Sequence, residues 1–446
     1  MGNLEIIIII NLVKGDMFES RLVRFVVAID IGTEYTSFAH SLKHSFSQST
    51  VIFEQWEGQE QGIVKSPAIV EYNDDYSSII KWGTPVLQQL KSTSDDSEDT
   101  EFPREICTFQ VFNNDNEDIW LPPELSKKKL ISDYLNEIQK VVLAALQENW
   151  TGIKPSYETG TVFIVPDRWG PTNCNILSQC LLENGSLCDN KENIQFISRG
   201  KAITLNCLNE NKDVLSPGDY FLNVDIDKDT INLTTRECIS KDTFSEILDR
   251  MVDYKENTSI ERRFLTSQGV TNEIFDQKNT NLKQIYQAQL QIQPKVESLL
   301  QKYLSSGKMT QSVDIDSIIP SLKDTVLSLT NEDLKKKLEK NKWCIELDSK
   351  IVSDLFDPLV DRLQHIIELR LTNEAEYSGK EYSVIFFVGD TFKCNYLVEK
   401  IKQMKFSSDV KICILPNSED LVVLNGALEY VQEDYLWNVM TSLLRR

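Results

Sequence analysis

Glycine is scarce in this chain, 17 of 446 residues, under 4% where ~7% is usual. Any phosphate-binding loop must therefore draw on a few identifiable glycines. Only three histidines occur, His40, His44 and His365, too few for a histidine-rich metal site or a histidine relay. No Cys-x-x-Cys pair exists among the nine cysteines, which fits reduced thiols in a cytoplasmic protein. No run of 18 uninterrupted apolar residues is present, so no membrane-spanning helix is expected. Positive charge is also short: Lys and Arg number 47 against 68 Asp and Glu, a formal net charge of −21. That balance argues against nucleic acid and anionic membranes as partners, since both are polyanions.

What is present suffices for large cores. The chain is 41% hydrophobic and 9% aromatic, which excludes wholesale disorder, and its length predicts two lobes. Four β-branched apolar runs read as buried strands: 25–29, 161–165, 220–224 and 383–388. Between them, Leu130, Ile131, Tyr134, Leu135, Ile138, Val141, Val142 and Leu146 form one helical face, and Ile351, Leu355, Leu359, Leu363, Ile366 and Ile367 form another. Strands alternating with helices predict an α/β fold. The apolar run in residues 1–20 is too short to span a membrane and reads as an added strand or an upstream start before Met17. Met-Gly at the start lacks the Ser or Thr at position 6 that myristoylation favours. Residues 91–101 read as a solvated acidic loop, and 256–345 as charged and helix-rich.

Two segments share a plan 195 positions apart. Val26-Val27-Ala28-Ile29-Asp30-Ile31-Gly32-Thr33 and Leu222-Asn223-Val224-Asp225-Ile226-Asp227-Lys228-Asp229-Thr230 are each a buried strand carrying Asp-Ile, then a polar turn. Two such hairpins facing one cleft form the phosphate clamp of actin-like ATPases. Turn amides there meet phosphate oxygens, glycine permits close backbone approach, and the aspartates hold magnesium through water.

Further segments carry a resemblance over roughly residues 21–432. Asp30-Ile31-Gly32-Thr33-Glu34-Tyr35-Thr36 looks like the first phosphate motif, D-[LIF]-G-T-T-Y-[ST], of the 70-kDa heat-shock proteins (DnaK type). Trp82-Gly83, Val165-Pro166 with Trp169, Asn341-Lys342-Trp343 and Phe356-Asp357-Pro358-Leu359-Val360-Asp361-Arg362 follow in order. Val388-Gly389 with Tyr396-Leu397 resembles the adenosine motif, and Asn425-Gly426-Ala427-Leu428 the closing one. The pattern is most similar to the divergent heat-shock 70 kDa protein 12-like branch.

The resemblance implies a two-lobed actin-like ATPase fold, a duplicated ribonuclease H-like architecture. Its divisions would be an extension at 1–20, lobe I at 21–205 with helix 421–446 packed back on it, and lobe II at 206–420. It implies ATP or ADP with magnesium as cofactor, a nucleotide site at Asp30, Gly32, Thr33, Glu34, Tyr35, Asp225, Thr230 and Gly389, and magnesium held by Asp30 and Asp225. Asp30 and Asp225 are also the relic catalytic aspartates. Yet the second phosphate motif, D-[CLI]-G-G-G-T-x-D, here has Asp227, Lys228 and Asp229 for its glycines and Asn232 for its last aspartate. Glu256-Asn257 replaces another Gly-Gly, Asp390 another glycine, Arg199-Gly200 the Glu-Pro pair at the hinge, and Gln110 a lysine. A Cβ on a phosphate loop blocks backbone approach. A carboxylate ~5 Å from a phosphate costs ~3 kcal/mol at an effective dielectric near 20. The expectation is therefore a non-catalytic pseudo-ATPase serving as a binding or scaffold protein for an unidentified protein partner or client. The alternatives are a weak ATP-hydrolysing chaperone-like protein and an actin-like filament subunit. No substrate-binding domain is expected in this chain.

Overall fold

The computed structural model describes residues 23–86, 104–109, 121–253, 310–314, 336, 339–415 and 418–444, apart from 44–48, 60, 168, 185, 212, 228–229, 241–242, 390–391 and 393. The expectations for residues 1–20, 91–101, Gln110, Lys228, Asp229, Glu256-Asn257 and Asp390 lie outside the described residues. The chain divides into two compact units, Met1–Glu210 with Asp420–Arg446, and Asn211–Glu419. Both mix strands and helices.

In the first unit, β1 (Phe25–Ile31) is buried at every position, as a central strand covered on both faces must be. It pairs antiparallel with β2 (Tyr35–Leu42), which in turn pairs with β3 (Val51–Ile52) and β4 (Lys65–Pro67). A separate three-stranded sheet consists of β5 (Ile69–Tyr72), β6 (Ile79–Trp82) and β7 (Glu105–Cys107). Helix α1 (Lys127–Asn149) starts at Ser126, whose hydroxyl accepts the amide of Lys129 at 3.1 Å and so satisfies one of the unpaired N–H groups of the first turn. Its buried residues include Leu130, Ile131, Tyr134, Leu135 and Ile138. They join Val27, Ile29, Phe38 and Phe163 in one core. Strand β8 (Thr159–Val165) returns parallel to β1, and after α2 (Pro171–Asn184) strand β9 (Ile194–Ser198) pairs parallel to β8. Helix α3 (Arg199–Glu210) follows without a loop. The main sheet order is β3-β2-β1-β8-β9.

The second unit repeats the order. Strands β10 (Tyr220–Asp227), β11 (Thr230–Ser240) and β12 (Thr243–Asp253) form an antiparallel meander. A small ladder pairs β13 (Thr310–Asp314) with β14 (Cys344–Asp348), so this part of the region expected to be helix-rich is strand. Helix α4 (Ser349–Ser378) precedes β15 (Tyr382–Val388), which runs parallel to β10. After α5 (Asn395–Lys402), β16 (Lys411–Ile414) pairs parallel to β15. The order is β12-β11-β10-β15-β16, with a core built from residues such as Leu222, Val224, Leu355, Leu363, Ile385 and Phe387. Helix α6 (Glu419–Leu444) closes the chain. From Asp420 onward it belongs to the first unit.

Along its main path each sheet thus has three antiparallel strands, then two parallel ones reached through helices, with β4 beside β2 as a sixth strand of the first sheet. The match extends to single residues. Asp30 lies opposite Ser37 and Ile164, and Asp225 opposite Asn232 and Val388. In both hairpins the aspartate faces the residue seven positions on.

Among the described residues no helix is long and apolar enough to cross a membrane. Eight described cysteines are free, five of them buried.

Candidate functional site

Asp30 is one residue from the end of β1 and only 6% exposed. Its Oδ2 accepts Nη1 of Arg199, the first residue of α3, at 2.8 Å. Topology makes this meeting: β8 lies between β1 and β9, and α3 begins at the end of β9. Burial pushes the Asp30 carboxyl up to about 6, against the pull of Arg199; the nearby Asp420 carboxylate adds to the rise and Lys65 opposes it. Lys65 Nζ lies 3.5 Å from Asp420 Oδ2 and 5.3 Å from the centre of the Tyr35 ring. Two acids and two cations are therefore collected around the end of β1.

The turn that follows is held by the chain itself. The Gly32 amide donates to the Tyr35 carbonyl at 3.0 Å, and the Glu34 carbonyl accepts the Ala68 amide at 2.8 Å. A Cβ on Gly32 would sit 2.8 Å from the Tyr35 carbonyl oxygen. The hairpin's own closure thus requires glycine there, whatever approaches from outside. Thr33 and Glu34 occupy the turn and are half-buried. Asp30, Gly32, Thr33, Glu34 and Tyr35 thus lie along the end of β1, the turn and the start of β2.

In the second unit, Asp225 is 4% exposed and accepts Asn232 Nδ2 across the ladder at 3.3 Å. A neutral amide meets a carboxylate here, where the second aspartate of the resembled motif would have placed two like charges. Asp227 and Thr230 are the last backbone pair before the turn. Gly389 follows β15 with φ +137°, outside the left-handed helical region that a glycine cap occupies. A Cβ there would lie 2.6 Å from the Ile226 carbonyl oxygen. Gly389 is thus required by the close approach of this turn to β10, next to Asp225.

Lys65 and Asp420 belong to the Asp30 cluster, yet sequence inspection passes over them. They are 355 positions apart in no shared pattern, and only the packing of α6 in the first unit brings them together. Arg199 stands out in the sequence only as a charge reversal. His365 falls within α4, and Trp343 packs on the edge of the second core. A cavity of about 500 Å³ in the first unit is lined by Ser77, Asp133, Asn136, Lys140 and Ser186 among others, and by none of the expected nucleotide residues. Among the described residues no group of three or more His, Cys, Asp or Glu side chains is arranged to hold a metal ion. Set against known proteins, the chain matches no family model and no curated sequence.

Proposed function

We propose that this chain is a degenerate heat-shock 70 kDa-like nucleotide-binding domain, of two-lobed actin-like fold, that acts as a non-catalytic binding or scaffold protein for a protein partner. The duplication carries the proposal: two sheets of one strand order, each with a buried aspartate at the same register of its first hairpin. That is the plan on which actin-like ATPases hold phosphate. In this chain the two aspartates are engaged by Arg199 and Asn232, contacts that compete with any magnesium or water they would otherwise hold. Lobe I would comprise 21–205 with 421–446, and lobe II 206–420.

A weak MgATP-hydrolysing protein is the competing assignment, favoured by the intact turn Gly32-Thr33-Glu34. Thermal melting and turnover with MgATP separate the two. The scaffold proposal expects no shift of the midpoint on adding excess MgATP and no measurable phosphate release. Hydrolysis at ~0.01 s⁻¹ or faster, within the range of slow phosphate-cleaving switches, replaces it with the enzyme.

A further inference from the structure

We propose that the Arg199 guanidinium stands permanently where an actin-like ATPase would hold a divalent cation on Asp30, making this position a metal-independent ion pair; what the position once held is taken from the function proposed above. The contact is 2.8 Å between Nη1 and Oδ2, with side chains 18% and 9% exposed. Arg199 is placed by the start of a helix that follows its strand directly. The cation therefore arrives with the fold and not on a mobile loop.

The cluster is also balanced. Asp30 and Asp420 supply two negative charges, and Arg199 and Lys65 supply two positive ones. A divalent ion would enter a formally neutral group and would have to strip a guanidinium from a buried oxygen. That would leave an unpaired charge in a low-dielectric site. Magnesium also demands an octahedral oxygen shell at ~2.0–2.1 Å, much of it water, and a guanidinium hydrogen-bonded to the same carboxylate obstructs that shell. Unlike a bound metal, guanidinium cannot be removed by a chelator, and it keeps its charge at every accessible pH.

The test uses Mn²⁺ as the probe, titrated into the full chain and followed by electron paramagnetic resonance. In the wild type, Mn²⁺ binding to the acidic protein is expected to be unchanged by Asp30→Asn. Arg199→Ala leaves two carboxylates with one lysine and is expected to gain a Mn²⁺ site that Asp30→Asn then abolishes. In Arg199→Ala, magnesium at about ten times its dissociation constant should raise the melting midpoint by about 3 °C, with no such rise in the wild type. Wild-type Mn²⁺ binding that Asp30→Asn weakens tenfold or more, an order-of-magnitude effect worth about 1.4 kcal/mol, overturns the proposal. So does an Arg199→Ala protein that folds but gains no site. If Arg199→Ala does not fold, the wild-type comparison decides alone. ATP hydrolysis would sink the scaffold function whatever Mn²⁺ does, whereas Asp30-dependent Mn²⁺ binding without hydrolysis would sink only the present proposal.

Discussion

Two buried titratable side chains on adjacent strands pull stability in opposite directions as pH falls. His40 on β2 is fully buried, and burial lowers its imidazole from 6.5 to about 4. It lies edge-on to Trp150 at 4.8 Å and stacks on Phe38 at 6.3 Å. The unfolded chain binds a proton there before the folded one does. Its contribution is complete above pH 6.5 and is lost as pH falls toward 4, about 3 kcal/mol in all. Asp30 runs the other way. Its carboxyl rises to about 6, so folding is disfavoured above that pH and the penalty of about 3 kcal/mol is relieved as pH falls to 3.8. Between pH 6.5 and 4 the two nearly cancel. Urea titrations across this window should show His40→Phe gaining stability relative to wild type on acidification, and Asp30→Asn losing it. Parallel pH profiles for all three proteins would refute both assignments.

Two backbone features of single elements make sharper demands. At Lys342 and Trp343, φ is +53° and +59°, and the Cys344 amide closes the turn on the Asn341 carbonyl at 3.0 Å. Left-handed backbone costs a non-glycine residue about 1–2 kcal/mol, while glycine adds about 0.5–1 kcal/mol of chain entropy to be lost. Lys342 is exposed, so Lys342→Gly should stabilise by about 0.5 kcal/mol, visible as a higher urea midpoint at constant slope. Gly426 on α6 presses against α3: a Cβ there would fall 1.8 Å from the Ala202 carbonyl oxygen. Backbone cannot yield as a side chain tip can. Gly426→Ala should therefore destabilise by about 2 kcal/mol or more, and a melting curve within a degree of wild type would show that the helices separate freely. Continuous apolar runs announced β1, β8, β10 and β15 because strands buried on both faces need them. Short edge strands such as β3 and β16 bury too few side chains to leave a pattern. The end of β1 was legible from Asp30 through Tyr35, since glycine and aspartate mark a turn locally. Its partners Lys65 and Asp420 were not, because an ion pair made by long-range packing leaves no local trace.

A net charge of −21 acts on the whole molecule. Like charges repel across the surface and disfavour the compact state. Raising NaCl from about 0.01 M to about 0.15 M shortens the screening length from ~30 Å to ~8 Å, so the melting midpoint should climb over that range. A fall would mean that exposed ion pairs such as Lys380–Glu237 outweigh the repulsion. The sequence echo 195 positions apart was the legible trace of the two repeated sheets. Their shared five-strand path was not legible, because β9, β12 and β16 carry no echo.

The contact of Gly426 with Ala202 also sets a schedule for synthesis. The first unit is made of two pieces of chain with the entire second unit between them. As the protein leaves the ribosome, Ala202 emerges 224 residues ahead of the glycine it must meet. At ~5–20 residues per second that interval is ~10–45 s. The second unit is continuous, and its synthesis fills that interval, its last residue preceding Gly426 by seven positions. Through those seconds the face of α3 that α6 will cover stays open to solvent. The nascent chain is therefore most exposed to aggregation, and to capture by a chaperone, just before α6 emerges.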